Sequence, residues 1–107
     1  MLKDYIIQKF LKGALKFRAK TKIRKIYLFG SRARGEEKPY SDYDFLLVMK
    51  ERDEKIVDKL YDITVDLLLE TGKVISLKIF KEKDFNRLSG IPTPFMKKVL
   101  KEGIKLA

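Results

Sequence analysis

From Ile7 the apolar positions fall at Ile7, Phe10, Leu11, Ala14 and Leu15, the i, i+3, i+4, i+7, i+8 stripe of an amphipathic helix. That spacing predicts a helix over residues 2–20. The pattern then changes period. "KIYLFG" reads as a buried strand stopping at Gly30, and "YDFLLVMK" as a second strand, apolar on both faces after Asp44. A strand apolar on both faces belongs in the middle of a covered sheet. Residues 53–71 return to helical spacing, with Ile56, Leu60, Ile63 and Leu67 on one face and Gly72 as the stop. "VISLKIF" alternates, setting Ile75, Leu77 and Ile79 against Ser76 and Lys78, the mark of a half-buried strand. A short helix near 82–88 and another from Pro94 to Lys101 close the chain, separated by Pro92 and Pro94. Phe95, Val99 and Leu100 are expected to complete the core. The order α-β-α-β-α-β-α-α predicts an α+β (α/β) fold, a small mixed sheet flanked by helices, and 107 residues suit one domain with a modest core.

Composition narrows the chemistry. The chain has no cysteine, which excludes disulfides and thiolate metal sites, and no histidine, which removes the usual general base and zinc ligand. Carboxylates, hydroxyls, lysine, arginine or a hard metal ion must carry any reaction. No secretory leader and no apolar run of membrane-spanning length is present, so a cytoplasmic location is expected. The net charge is +10, and residues 1–25 carry Lys3, Lys9, Lys12, Lys16, Arg18, Lys20, Lys22, Arg24 and Lys25 against the single acid Asp4. Such a field attracts nucleotides, nucleic acid or an acidic partner, although a solvated helix face gives the same pattern. Abundant Lys and Glu with one Gln and one Asn resembles thermophile usage.

The stretch "FGSRARGEEKPYSDYD", Phe29 to Asp44, concentrates the candidate chemistry. Gly30 ends a buried strand, where its freedom lets the backbone turn beside a ligand. If Ser31 caps a short helix through Ala33 and Arg34, free backbone N–H groups face outward and suit a phosphate. Asp42 and Asp44 lie two apart, so on a strand both carboxylates share one face while Tyr43 and Phe45 point to the other. Two close carboxylates with no His or Cys nearby suit a hard cation, Mg²⁺ or Mn²⁺, that completes its shell with water and substrate phosphates. Each half alone also reads as an ordinary turn. Together they place a metal pair opposite an anion cradle.

"GSRARGEEKPYSDYD" resembles the signature of the DNA polymerase β-like nucleotidyltransferases, Gly-Ser followed by Ser-Asp-x-Asp, and is most similar to the stand-alone minimal nucleotidyltransferases (MNT). The resemblance implies the nucleotidyltransferase fold, with Gly30 and Ser31 holding the phosphates of a nucleoside triphosphate and Arg34 supporting the loop or contacting phosphate. It implies Asp42 and Asp44 as catalytic ligands of Mg²⁺ (or Mn²⁺), with ATP as substrate. It further implies an antitoxin role in a toxin–antitoxin system beside a HEPN-domain partner, by adding AMP to a hydroxyl of that protein. One departure stands out: active members usually carry a third carboxylate on a later strand, and "VISLKIF" has no acid, with Ser76 or Leu77 near the expected place. Glu51 lies too far along an extended strand to replace it, and Asp62, Asp66 and Glu70 read as solvated helix residues.

Three readings remain open on these grounds: an enzyme transferring AMP, an impaired transferase fold that binds nucleotide or a partner, and a nucleic-acid-binding domain using the basic helix. The acceptor, the base specificity and any homo-oligomer are not readable, although "IPTPFMKKVLKEGIKL" offers a candidate apolar docking face.

Overall fold

The computed structural model describes residues 4–17, 23–35, 38 and 42–107. Its elements in order are α1 (Tyr5–Leu15), β1 (Ile23–Phe29), α2 (Ser31–Arg34), β2 (Tyr43–Met49) and α3 (Glu54–Thr71), then β3 (Ile75–Lys81), α4 (Glu82–Ser89), α5 (Pro94–Glu102) and β4 (Ile104–Lys105). The expected order is recovered with one addition, β4.

Helix α1 starts where Asp4 accepts hydrogen bonds from the Ile6 and Ile7 N–H groups at 2.9 and 3.1 Å. This N-cap satisfies two donors that a helix start leaves unpaired. The helix is shorter than the 2–20 expectation: it ends at Leu15, and Phe17 N–H closes a turn onto Ala14. Residues 2, 3 and 18–20 of that expectation lie outside the described residues. Ile6, Ile7, Phe10 and Ala14 form its buried face.

The sheet runs β3-β2-β1-β4, with β1 antiparallel to both β2 and β4 and β2 parallel to β3. A parallel pair requires a crossover, which α3 supplies. Asp53 caps α3 through the Lys55 and Ile56 amides, and Gly72 ends it in the left-handed region at φ 73°. Strand β2 is central, as its two-faced apolarity predicts, and Phe45 through Met49 are completely buried. Alternate residues feed two cores. Tyr43, Phe45, Leu47 and Met49 pack under α1 and α3, where Phe10 stacks on Phe45 with ring centroids 4.3 Å apart. Leu46 and Val48 meet Phe85 of α4 and Met96 and Val99 of α5 on the other side.

The C-terminal expectation holds in part. Val99 is buried, but Phe95, although edge-on to Phe29 at 5.9 Å, is 37% exposed and Leu100 is 52% exposed, and the second buried position is Met96. A helix starting at Pro94 turns positions 96 and 99 inward and position 100 outward. Beyond it the chain pairs with β1: Leu106 N–H donates to the Ile26 carbonyl at 2.7 Å, and Ile26 N–H donates to the Ala107 carbonyl at 3.1 Å. No helix among the described residues is long and apolar enough to cross a membrane.

Candidate functional site

The antiparallel register of β1 and β2 sets Phe29 directly opposite Asp44. Because β1 ends there, Gly30 and Ser31 fall beside the aspartate strand at its first residues. Gly30 adopts φ 78°, ψ −161°, and a Cβ on it would lie 2.5 Å from Asp44 Oδ2. Only glycine combines that backbone with so close an approach to a carboxylate. The residue at the N-cap of α2 is Gly30 and not Ser31, since Ser31 opens the helix and no side-chain hydrogen bond caps it. The Gly30 carbonyl accepts from Ala33 and Arg34 N–H, at 3.1 and 3.3 Å. Ser31 and Arg32 therefore hold the first-turn N–H groups that lack an intrahelical acceptor.

Asp42 is exposed just ahead of β2, and Asp44, the second residue of the strand, is half-buried. Burial raises the Asp44 carboxyl above its ordinary value of 3.8, the negative charge of Asp42 adds to the rise, and the Lys78 ammonium opposes it. Burial and the Asp42 charge thus both work against ionisation of this carboxyl.

Tyr43, between the two aspartates, points to the opposite face as alternation requires. Its hydroxyl donates to Asp4 Oδ2 at 2.7 Å, so the cap of α1 also fixes the head of β2. The Arg32 guanidinium lies 3.8 Å from the centroid of the Tyr43 ring, tying α2 to the same residue. Arg34 reaches a different place: its guanidinium is 3.4 Å from Glu102 at the end of α5. Asp4 and Tyr43 were not anticipated as parts of this framework. An aspartate directly before "YIIQKF" is a cap signal that could have pointed to Asp4. Nothing local links it to Tyr43.

Strand β3 completes the row. Ser76 is the Cα partner of Asp44 in the parallel register, and Lys78 partners Leu46 one step along on the same face. The place beside Asp44 therefore belongs to Ser76 rather than to Leu77, which is buried on the other face. No group of three acidic side chains able to hold a metal occurs among the described residues. Glu51 is exposed beyond the far end of β2, and on α3 Asp62 and Asp66 are exposed, while Glu70 accepts the Tyr5 hydroxyl at 2.7 Å. None of these acids joins the aspartate pair. Two hard carboxylates on one face, beside a glycine approach that a side chain would block, nevertheless fit a small divalent cation with oxygen ligands taken from water and phosphate.

The family profile described as Polymerase beta, Nucleotidyltransferase matches residues 13–107. A protein of Methanocaldococcus jannaschii, provisionally named a protein adenylyltransferase, is 37% identical over 103 residues, covering 96% of each chain. Among solved structures, the MntA–HpeT toxin–antitoxin complex carrying two aspartate-to-glutamate substitutions superposes with a TM-score of 0.60 at 19% identity, over 94% of this chain and 71% of that one. A toxin–antitoxin structure with AMP-PNP gives a TM-score of 0.57 at 20% identity, over 90% of this chain and 71% of that one. At these identities the structural matches speak for the fold: a mixed four-stranded sheet flanked by helices.

Proposed function

This chain belongs to the polymerase beta nucleotidyltransferase family, and from that membership we propose that it transfers AMP from ATP to a hydroxyl of a partner protein. The observation that carries the proposal is the facing of the Gly30–Ser31 turn and the Asp42/Asp44 pair across the β1–β2 register. In this reading Gly30 and Ser31 seat the β- and γ-phosphates, and the first-turn N–H groups of α2 face them. Asp42 and Asp44 would hold Mg²⁺ or Mn²⁺, which when bound neutralises charge developing on the phosphates. The acceptor oxygen attacks the α-phosphorus in line, the bond to the bridging oxygen breaks, pyrophosphate leaves, and the hydroxyl proton is lost to solvent. Tyr43, braced by Asp4 and Arg32, keeps both carboxylates directed to the phosphate side. Arg34 would contact phosphate by exchanging its Glu102 pairing.

The naming of the M. jannaschii relative supports a protein acceptor, and the toxin–antitoxin assemblies that share the fold support a partner encoded as a toxin. A HEPN-domain protein is the expected partner, in line with the MNT-type motif. Incubating the chain with α-labelled ATP, Mg²⁺ and that partner tests the reading. Label on the partner, lost with EDTA and with Asp42→Ala/Asp44→Ala, is the expected result. Absence of transfer despite metal-dependent ATP binding would favour a second reading, a nucleotide- and partner-binding module. The neutral Ser76 beside Asp44 is the observation behind that alternative.

A further inference from the structure

The face of the sheet that carries Asp44 also carries Lys78 in the neighbouring row, while Lys25 lies opposite Val48 with its ammonium 5.6 Å from the Phe85 ring and Lys105 lies on the far edge beside Tyr27. Across β1, β2 and β3 the Asp44 row reads Phe29, Asp44, Ser76, and the next row along the β2–β3 pair reads Leu46, Lys78. Leu46 is completely buried under Phe85, Met96 and Val99. Lys78 stands on the edge strand and is exposed, so its stem can run over the sheet toward the aspartates. Successive same-face residues on a strand are roughly 6.6 Å apart, within the reach of an extended lysine side chain. The arginines of the turn are differently placed, Arg32 on the Tyr43 ring and Arg34 against Glu102.

Two divalent cations about 4 Å apart share bridging carboxylates, and the one less engaged by the triphosphate must draw its remaining charged ligands from the protein. Here two carboxylates face a neutral serine and a lysine. One divalent cation balances Asp42 and Asp44, and a second would meet the Lys78 charge with no further acid to hold it. Resting on the nucleotidyltransferase reading above, we propose that Lys78 supplies the second positive centre of this site, so that the chain binds its nucleotide with one divalent cation and the Lys78 ammonium against the phosphates. Lys78 is thereby a substrate-binding residue, and Ser76 is the reason that a second metal finds no seat.

The test is a titration of Mn²⁺ into the chain with a non-hydrolysable ATP analogue, followed by calorimetry and by the loss of the free Mn²⁺ spin-resonance signal. One Mn²⁺ per chain is expected beyond that carried by free nucleotide. In Lys78→Met the stoichiometry stays at one while analogue affinity falls by roughly three- to tenfold, the size of one charge-assisted contact at an exposed position. Lys78→Arg restores most of that affinity. Lys78 is exposed on an edge strand, so Lys78→Met leaves the fold intact, and circular dichroism checks this. Two Mn²⁺ per wild-type chain would overturn the inference and leave the transferase reading standing. Unchanged affinity in Lys78→Met would also overturn it. No Mn²⁺ bound at all would overturn both.

Discussion

Gly30 is the residue on which the site geometry turns, because two separate constraints fall on it: a positive φ of 78° and a carboxylate oxygen 2.5 Å from where a Cβ would stand. Gly30→Ala is therefore expected to destabilise the fold by about 1–3 kcal/mol through backbone strain. It should also push Asp44 out of place, so that chemical denaturation shows the stability loss and ATP·Mg²⁺ binding is lost with it. Asp44 itself gives a pH prediction. Its folded-state pKa lies above the ordinary 3.8, so across the window from 3.8 up to the raised value the native state binds more protons than the unfolded state. Stability of the metal-free protein then falls as pH rises through that window, and ionised Asp44 is a stability cost at neutral pH. Melting curves in EDTA between about pH 3 and 7 check this: Asp44→Asn should match wild type at the acid end and exceed it at neutrality. A neutral variant that is less stable at every pH would contradict the burial argument. The aspartate pair and the glycine were legible in the sequence because strand alternation and the strand-end turn are local signals. The Tyr43–Asp4 bond was not, since its partners are 39 positions apart and meet only through packing.

Among the elements, β2 carries the strongest packing. Its odd residues fill one core and its even residues the other, and Phe10 of α1 closes the first by stacking on Phe45. Phe10 is completely buried. Phe10→Ala should cost about 3–5 kcal/mol, read as a lower denaturation midpoint with an unchanged slope. Asp4 acts at an element boundary, capping α1 and anchoring Tyr43 with its two oxygens. Asp4→Ala is expected to cost about 1–2 kcal/mol and to weaken metal-dependent ATP binding, although Asp4 touches no ligand. A stability loss without any change in binding would reduce Asp4 to a cap alone. At this scale α1, α3 and the three long strands followed from hydrophobic period. The end of α1 did not, because Lys16 and Phe17 continue the composition of a helix while the backbone turns. Strand β4 was missed for a related reason: two residues, Ile104 and Lys105, carry no periodicity, and only pairing with Tyr27 and Leu28 makes them a strand.

For the whole molecule, the question is whether +10 of net charge or the built site governs what the chain binds. A diffuse basic field attracts any polyanion, is insensitive to chelators, and weakens steeply with salt because its contacts are exposed and the Debye length is about 10 Å at 0.1 M. A carboxylate pair behaves in the opposite sense, since it repels a bare triphosphate and accepts one only with a cation between them. Lys9 and Lys12 lie on α1 and Lys16 at its C-terminal cap, and α1 packs on the face of the sheet opposite the one that carries Asp44 and Lys78. Their field therefore concentrates anions around the molecule without completing the site. Ligand binding restricted to the native state raises its stability by about 2.7 kcal/mol at a hundred times the dissociation constant. For a chain of this size that corresponds to an upward shift in Tm of about 10 °C or more. ATP with Mg²⁺ is thus expected to raise Tm in wild type at physiological salt, and ATP with EDTA to leave it nearly unchanged. In Asp42→Ala/Asp44→Ala the metal-dependent part should vanish even though the variant is more basic by two charges. A Tm that rises equally with EDTA, and more in the double variant, would assign the binding to the basic field and remove the transferase reading.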